Sequence, residues 1–255
     1  MFNVAGKRVL VVGAGGLGTT VAMAFACNGA VVAVASRSIE SLHNVEQLIN
    51  EDVCKLYQMD VTDRECVNET ITRISDDIGG IDILVYTAAI APLGNSLTFD
   101  DTDFRRTLDI NFMGAYYVNV AAAKIMAENG WGRIINISSI DAFSVNCVDD
   151  LPYSASKSAM SAMVRHLAVD LAKSGVTVNA IAPVWIWTPM MNQRPNDYMV
   201  KAASTIPMGR CSYPQDYLGA IFFISSSASD YMTGQTLLVD GGWSVYRAFT
   251  YSCDS

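Results

Sequence analysis

The stretch VVGAGGLG at residues 11–18 closes a first apolar run and opens a helical pattern. Its glycines Gly13, Gly15 and Gly18 have the spacing G-x-G-x-x-G, which is weak evidence alone but much stronger between a first strand and a helix. Glycines let the backbone turn tightly and approach a pyrophosphate, while the helix N-terminus presents amide donors and the positive end of a dipole. The stretch therefore predicts a dinucleotide-binding turn, although a tight turn without a ligand would have the same spacing.

Short apolar runs alternate with longer helical patterns along the whole chain. The runs at 8–12, 31–35, 81–86, 133–138, 176–182 and 235–240 are rich in Val and Ile and predict buried strands, and a third strand ends in YQMDVTD at 57–63. Helical patterns lie at about 17–28, 38–50, 63–77, 101–128, 153–173 and 214–226. This alternation predicts an α/β fold with a parallel sheet and helices on both faces. Ligands of such sheets bind beyond the carboxyl ends of the strands.

The end of the second strand bears on the choice of cofactor. An enzyme that selects NAD commonly has Asp or Glu there, but this chain has Ser36 and Arg37. A guanidinium can bind a 2′-phosphate with two charge-assisted hydrogen bonds, so NADP(H) is favoured over NAD(H). A solvated Arg37 would carry no such meaning, and its pairing with Glu40 would restore NAD(H) as the alternative. Asp60 either caps the next helix, where Thr62 competes with it, or accepts a hydrogen bond from an adenine amino group.

Tyr153 and Lys157 in YSASK lie four residues apart, and therefore on one face of a helix. A neighbouring ammonium lowers the pKa of a phenol, so that Tyr153 could exchange a proton with a substrate oxygen near neutral pH. Ser139 follows a strand and could hold the same oxygen, and Asn111 in the helix 101–128 could link Lys157 to solvent through water. Each residue alone is more often a surface, turn or solvated residue. Their occurrence together with the glycine turn favours a catalytic set.

The composition limits the possible partners. A formal net charge of −8 at pH 7 gives no reason to expect nucleic acid, and no apolar stretch approaches the ~20 residues of a membrane helix. The apolar run after Lys7 and Arg8 resembles a signal peptide, but its glycines suit a phosphate loop better. With two histidines and no C-x-x-C pair, no metal site is expected. Reduced thiols in a cytoplasmic enzyme are the expectation for Cys27, Cys54, Cys66, Cys147, Cys211 and Cys253.

Eight segments carry a resemblance to a known family: VVGAGGLG, MDV, DINFMG, GRIINISS, YSASK, VNAIAP, IPMGR and TGQTLLVDGG. On these segments the chain resembles, from end to end, the classical short-chain dehydrogenase/reductase family. The resemblance implies a Rossmann-type, doubly wound parallel sheet of about seven strands in a single NAD(P)-binding domain over residues 1–255. It also implies hydride transfer between a nicotinamide and a carbonyl or alcohol, and a homotetramer formed through the helices at 101–128 and 153–173.

The resemblance implies roles for the site residues as well. Tyr153 would be the acid/base, Ser139 would orient the substrate oxygen, and Asn111 would support a proton relay. Lys157 would lower the pKa of Tyr153 and hold the nicotinamide ribose. The predicted cofactor-binding residues are Gly13, Gly15, Leu17, Gly18, Ser36, Arg37, Asp60, Val61, Ala88, Ala89, Tyr153, Lys157, Pro183, Val184, Ile186 and Thr188. The predicted substrate-binding residues are Ser139, Asp141, Tyr153, Trp185 and Met190.

The chain departs from the family pattern in three places. Val12 replaces a Thr before a glycine loop that is one residue shorter than usual, which leaves the roles of single glycines open. The usual N-N-A-G is replaced by YTAA at 86–89, where Thr87 and the Tyr86 hydroxyl could take over the lost hydrogen bonds. Ser139 precedes Tyr153 by fourteen residues rather than the common thirteen, so a shifted register would bring in Ser138 instead.

The excursion at about 184–212 carries the apolar and aromatic residues that bear on the substrate. Trp185, Trp187, Met190, Met191, Tyr198 and Met199 suit a mobile apolar lid, or else a subunit interface or packing beneath a lid. A bulky apolar substrate of the hydroxysteroid kind is the leading expectation.

Two further classes of function remain as alternatives. One is reduction of a 3-oxoacyl-[acyl-carrier-protein]. Enzymes with that activity carry arginines that dock the acidic carrier, but the corresponding positions here are Gly130 and Ser174. The other is oxidation of a polyol or sugar acid. A regulator that only binds NADP is the non-enzyme alternative, and the complete Ser/Tyr/Lys/Asn set argues against it.

Overall fold

The structure is a computed structural model that describes residues 2–195 and 197–246. The strands are β1 (Arg8–Val12), β2 (Val31–Ser36), β3 (Cys54–Gln58), β4 (Ile83–Tyr86), β5 (Gly132–Ile137), β6 (Val176–Pro183) and β7 (Thr236–Val239). The α-helices are α1 (Gly16–Cys27), α2 (Ile39–Glu46), α3 (Arg64–Ile78), α4 (Asp101–Leu108), α5 (Gly114–Glu128), α6 (Leu151–Leu171), α7 (Tyr198–Ser204) and α8 (Leu218–Ser225). A π-helical segment, Asp109–Met113, joins α4 to α5.

All seven strands form one sheet in the order β3-β2-β1-β4-β5-β6-β7, and every neighbouring pair is parallel. In β1, Val9 and Val11 pack into one hydrophobic core while Leu10 and Val12 pack into the other, because successive side chains of a strand point to opposite faces. The apolar runs of the sequence are continuous for this reason. The predicted α/β, Rossmann-type, doubly wound parallel sheet is confirmed.

Helices cover both faces of this sheet. One core holds apolar side chains of α3, α5 and α6, and the other holds those of α1, α2 and α8. The chain moves outward from β1 to β3 and then returns to pair β4 with the other side of β1. The strand order thus reverses between β1 and β4, and a crevice opens there beyond the carboxyl ends of the strands.

Several helices and strands begin or end a few residues from the predicted positions, and three features of local structure also differ from the prediction. The helix expected at 101–128 is interrupted by the π-helical segment, and the excursion that begins at about 184 contains the helix α7. The third helix is capped neither by Asp60 nor by Thr62. Asp63 caps it instead, since its carboxylate accepts hydrogen bonds from the amides of Glu65 and Cys66.

Tyr86 and Thr87 of the YTAA sequence at 86–89 make hydrogen bonds to neighbouring segments. The fully buried Tyr86 donates its hydroxyl proton to the carbonyl of Ile110 at 2.7 Å. A π-turn leaves a helical carbonyl without its usual amide partner, and this phenol occupies such a position. Thr87 approaches the carbonyls of Val12 and Gly13, each at 3.0 Å from its hydroxyl oxygen. β4 is thereby tied to both the π-helical segment and the glycine turn.

The described residues show no helix long and apolar enough to cross a bilayer, and no group of side chains that could hold a metal ion. The five cysteines among them, Cys27, Cys54, Cys66, Cys147 and Cys211, are unpaired. Cys253 lies outside the described residues.

Replacing Tyr86 by Phe should lower the free energy of unfolding by about 1–3 kcal/mol, because the buried carbonyl of Ile110 would lose its donor. Tyr116→Phe is the control, since Tyr116 is half-buried on α5 and its hydroxyl has no hydrogen-bonding partner among the described residues. Urea unfolding of both variants measures the difference. Equal stability of Tyr86→Phe and the wild type would show that this hydrogen bond does not hold the π-helical segment.

Candidate active site

A cavity of about 360 Å³ lies at the carboxyl ends of the strands, where the strand order reverses. It is lined by every residue that the sequence predicts to contact the cofactor or the substrate, from the glycine turn to the segment after β6. Ser139 is one of these residues, whereas Ser138 does not line the cavity and its hydroxyl lies 3.3 Å from that of Ser161. Of the predicted site residues, Asn111 alone lies behind the wall of the cavity.

The glycine turn has a shape that fits a phosphate group. Gly13 has a φ of 105°, and a Cβ on Gly18 would lie 1.8 Å from the carbonyl oxygen of Gly13. Both positions therefore require glycine. Gly15 precedes α1, which has no side-chain cap and no acidic residue in its first turn, so its first amides remain available to an anion.

Arg37 and Asp60 lie at the adenosine end expected for a dinucleotide. Both line the cavity, and of the ion pairs among described residues none joins Arg37 to Glu40. Burial alone would raise the pKa of Asp60, but the amide and hydroxyl of Thr62 and the charge of Arg37 lower it. Asp60 is therefore ionised and lies near Arg37. The Arg37 guanidinium itself makes no ion pair with a carboxylate among the described residues. The donor set fits a phosphorylated dinucleotide, with the glycine turn for its pyrophosphate and Arg37 for a 2′-phosphate.

Ser139, Tyr153 and Lys157 meet at the other end of the cavity. Tyr153 and Lys157 occupy the first two turns of α6, and the Lys157 Nζ lies 5.4 Å from the centroid of the Tyr153 ring. The ammonium donates to the carbonyl oxygen of Ile137 at 2.7 Å. α6 begins at Leu151, with Pro152 in its first turn, where a missing amide proton costs no helical hydrogen bond.

Burial dominates the protonation of this group. It raises the pKa of Tyr153, and the carboxylates of Asp141 and Asp150 raise it further, while Ser139 lowers it. Burial lowers the pKa of Lys157 to about 7, against the opposing effect of Asp141. Burial is thus the largest influence on both groups, and the ammonium is directed at a backbone carbonyl. That Lys157 lowers the pKa of Tyr153 stays a prediction.

Asn111 is fully buried and its amide is engaged with protein groups. Its Oδ1 accepts from the amide of Ile90 at 2.8 Å, and its Nδ2 donates to the carbonyl of Ile90 at 2.9 Å and to the hydroxyl of Ser156 at 3.1 Å. Ser156 in turn donates to the carbonyl of Tyr153 at 2.6 Å. The side chain of Asn111 thus fixes Ile90, which lines the cavity. Its link to Lys157 through water stays a prediction.

A family model described as enoyl-(acyl carrier protein) reductase matches residues 12–244, which include the glycine turn and all four predicted catalytic residues. The chain belongs to the short-chain dehydrogenase/reductase family. It is an oxidoreductase of a family whose named relatives are dehydrogenases and reductases acting on CH–OH groups.

Three similar proteins illustrate the range of the family. The chain is 34% identical over 251 residues to galactitol 2-dehydrogenase (L-tagatose-forming) of Cereibacter sphaeroides, covering 96% of this chain and 98% of that protein. It is 32% identical over 247 residues to 3-oxoacyl-[acyl-carrier-protein] reductase of Rickettsia conorii, covering 95% and 98%. The crystal structure of a gluconate 5-dehydrogenase from Burkholderia cenocepacia, in complex with NADP and tartrate, superposes with a TM-score of 0.91 at 28% identity, covering 96% and 98%.

The short-chain dehydrogenase/reductase site contains charged residues that the sequence analysis did not assign. Asp150 and Arg194 line the cavity beside Tyr153, with 4% and 11% of their side chains exposed, and the Arg194 Nη2 lies 3.8 Å from the Asp150 Oδ2. Burial raises the pKa of Asp150 to about 6, and Asp141 adds to this rise. The sequence does single out Arg194, because it is the one basic residue between 184 and 199, the segment expected to contact the substrate.

The aromatic residues after β6 pack mainly against one another. Trp185 donates its indole N–H to the Tyr198 hydroxyl at 3.0 Å and meets Trp243 edge to face at 5.9 Å between ring centroids. These rings cover a small hydrophobic core that includes Met199 and Ile206. The apolar side chains thus belong in part to a core beneath α7, which is one of the readings that the sequence left open.

Replacing Lys157 by Met should flatten the pH dependence of stability. The pKa of about 7 in the folded protein lies below the 10.5 of an ordinary lysine, so the folded state binds fewer protons than the unfolded state between these values. The free energy of unfolding should therefore rise from pH 7 to pH 9 in the wild type, by up to about 1.4 kcal/mol per pH unit from this group. Urea unfolding at both pH values measures the slope.

The variant should lack this part of the slope, and its stability at pH 7 should equal or exceed that of the wild type. Lys124→Met, on the exposed side of α5, is the matched control and should keep the wild-type slope. Identical slopes for Lys157→Met and the wild type would contradict a weakened, buried ammonium.

Proposed function

We propose that this protein interconverts a secondary alcohol and a carbonyl of a small molecule, with NADP(H) as the hydride carrier. One observation carries the proposal: Ser139, Tyr153 and Lys157 line the same cavity as the glycine turn and Arg37. A proton-transfer group and a dinucleotide cradle in one cavity are what such a reaction needs. A regulator that only binds NADP has no use for a buried phenol beside a serine.

The residues of this cavity have distinct tasks in the proposed reaction. Tyr153 keeps its proton at neutral pH because burial raises its pKa, and it gives that proton to the substrate oxygen during reduction. Ser139 holds the same oxygen. Pro183, Val184, Ile186 and Thr188 flank the position of the nicotinamide, which supplies or accepts the hydride when bound.

The cofactor preference rests on the end of β2. Ser36 offers no carboxylate to a ribose 2′-hydroxyl, and Arg37 stands free of Glu40 at the cavity edge. The B. cenocepacia structure contains NADP, which supports the same preference.

The cavity supports a polar substrate better than a bulky apolar one. Trp185 and Tyr198, which led to the hydroxysteroid expectation, bond to each other, and the wall beside Tyr153 carries Asp141, Asp150 and Arg194. Buried charges are costly against an apolar ligand that cannot pair with them. The activities of the galactitol and gluconate relatives support a polyol or sugar-acid substrate for this chain as well.

Reduction of a 3-oxoacyl-[acyl-carrier-protein] is the second candidate, and it is favoured by the R. conorii relative. Gly130 and Ser174 leave its docking surface without the expected basic residues, so we rank it below the polyol class. A homotetramer through α4–α5 and α6, and a cytoplasmic location, are part of the same proposal.

Replacing Tyr153 by Phe should reduce turnover by ~10²–10⁴-fold, because general acid–base catalysis typically contributes this much. Binding of NADPH should change little, since the ring remains. Steady-state kinetics and NADPH fluorescence titration measure the two effects. Tyr213→Phe, on an exposed tyrosine, should leave both unchanged. Near-wild-type turnover of Tyr153→Phe would remove the phenol from the mechanism.

Replacing Arg37 by Ala should weaken NADPH binding tenfold or more and leave NADH binding nearly unchanged, since only NADPH carries the 2′-phosphate. Titration of wild type and variant with both cofactors measures the four dissociation constants. Equal affinities of the wild type for NADPH and NADH would refute the cofactor preference.

A further inference from the structure

Asp141 is bound directly to the predicted substrate-orienting serine. The Ser139 hydroxyl donates to the Asp141 Oδ2 at 2.7 Å, and the Asp141 amide donates back to the Ser139 Oγ at 3.2 Å. Asp141 is 7% exposed, and its other oxygen, Oδ1, is buried without a hydrogen-bonding partner. Asn146 lies close enough to lower the pKa of this carboxyl but makes no hydrogen bond of ordinary geometry with it.

This arrangement conflicts with the task proposed for Ser139. A hydroxyl has one proton to donate, so Ser139 cannot donate both to Asp141 and to the reacting oxygen of a substrate. When it turns to the substrate, the buried carboxylate loses its one side-chain hydrogen bond of ordinary geometry among the described residues. A buried acceptor left in this state costs free energy, and the substrate must supply the replacement donor.

A hydroxyl on the carbon next to the reacting carbon meets this need. The two oxygens of a vicinal diol are separated by about the length of one hydrogen bond, which is also the separation of the Ser139 and Asp141 oxygens. A substrate held by Ser139 through one oxygen therefore brings its neighbouring hydroxyl to Asp141.

The charges around this position favour a substrate without a carboxylate. Asp141 and Asp150 face a single guanidinium, Arg194, whose nearest approach to Asp150 is 3.8 Å. Its other contacts among the described residues are the Cys147 sulfur, 3.2 Å from its Nη1, and the Tyr198 ring, whose centroid is 4.9 Å from the guanidinium carbon. Neither contact uses all of its N–H groups, so donors remain for further hydroxyls. Burial raises the pKa of both carboxyls, to about 6 for Asp150, which still leaves Asp150 largely ionised at pH 7.5.

We infer that Asp141, Asp150 and Arg194 form a substrate subsite for uncharged vicinal polyols and their α-hydroxy ketones, with Asp141 as the acceptor of the hydroxyl beside the reacting carbon. The inference rests on the proposed function and narrows its substrate class. Such a subsite would favour a neutral polyol over a sugar acid, over a ketone without a neighbouring hydroxyl and over an acyl chain.

Steady-state oxidation of two matched pairs of alcohols tests this subsite. 2,3-Butanediol and 2-butanol differ by the vicinal hydroxyl, and D-glucitol and D-gluconate differ by the carboxylate. With NADP⁺ and the full chain at pH 7.5, kcat/KM should favour the diol and the hexitol at least tenfold over their partners. In Asp141→Ala, the ratio of kcat/KM for the diol to that for 2-butanol should fall to within about threefold, and Asp141→Asn should give an intermediate ratio. In Asp150→Asn, the ratio of kcat/KM for gluconate to that for glucitol should rise several-fold.

Ratios within one enzyme preparation are the readout, because a change at Asp141 also affects Ser139 and hence every substrate. Asp149→Asn is the matched control: it removes the same charge one residue from Asp150, but its side chain is exposed and outside the cavity, so both preferences should persist.

Three kinds of result separate the possible failures. Tyr153-dependent turnover of 2-butanol that equals that of the diol, or a diol preference that survives Asp141→Ala, overturns the subsite and leaves the proposed function standing. A preference for gluconate overturns the selection of uncharged substrates. Absence of Tyr153-dependent turnover with every alcohol and with the corresponding ketones overturns the proposed function itself.

Discussion

The amide of Asn111 joins three segments that are far apart in the sequence, and the geometry of the site depends on it. It pairs with both backbone groups of Ile90 in the loop after β4 and with Ser156 in α6, whose hydroxyl reaches the carbonyl of Tyr153. A regular helix over 101–128 would present this residue differently. The π-helical segment is kept in place by Tyr86, because the buried phenol binds the carbonyl of Ile110. Tyr86 is therefore linked to α6 through the π-helical segment and Asn111.

Burial sets the proton affinities in the cavity more strongly than any single pair of charges. The pKa of Tyr153 is raised, that of Lys157 is lowered to about 7 and that of Asp150 is raised to about 6, and desolvation is the largest cause in each case. Each shift favours the neutral form of its group. The site is thus arranged to hold a proton on the phenol, and the carboxyls beside it bind protons more tightly than exposed carboxyls do. The affinity for hydroxyl groups is inferred from the geometry of Ser139 and Asp141 within this environment.

The excursion that follows β6 contributes side chains both to a small hydrophobic core and to the wall of the cavity. Trp185, Tyr198 and Trp243 form a small aromatic cluster over the core beneath α7, while Arg194 extends from the same segment to Asp150. The apolar content of this segment indicates its packing rather than its ligand. The Arg194 guanidinium lies against the cavity, where it contacts Asp150, the Cys147 sulfur and the Tyr198 ring.

The sequence alone determined the sheet, its strand positions to within a few residues, the glycine turn and the set Ser139, Tyr153 and Lys157. These features follow from local rules: the alternation of side chains in a strand, the conformational range of glycine and the pairing of residues four apart on a helix. Only the tertiary structure decided that Asn111 binds Ile90, that Asp141 holds the hydroxyl of Ser139 and that Arg194 faces Asp150. Each of these contacts depends on how loops from different strands meet at the carboxyl edge. The shifted pKa values had to wait for the structure too, because desolvation depends on the surrounding fold and not on neighbours in the chain.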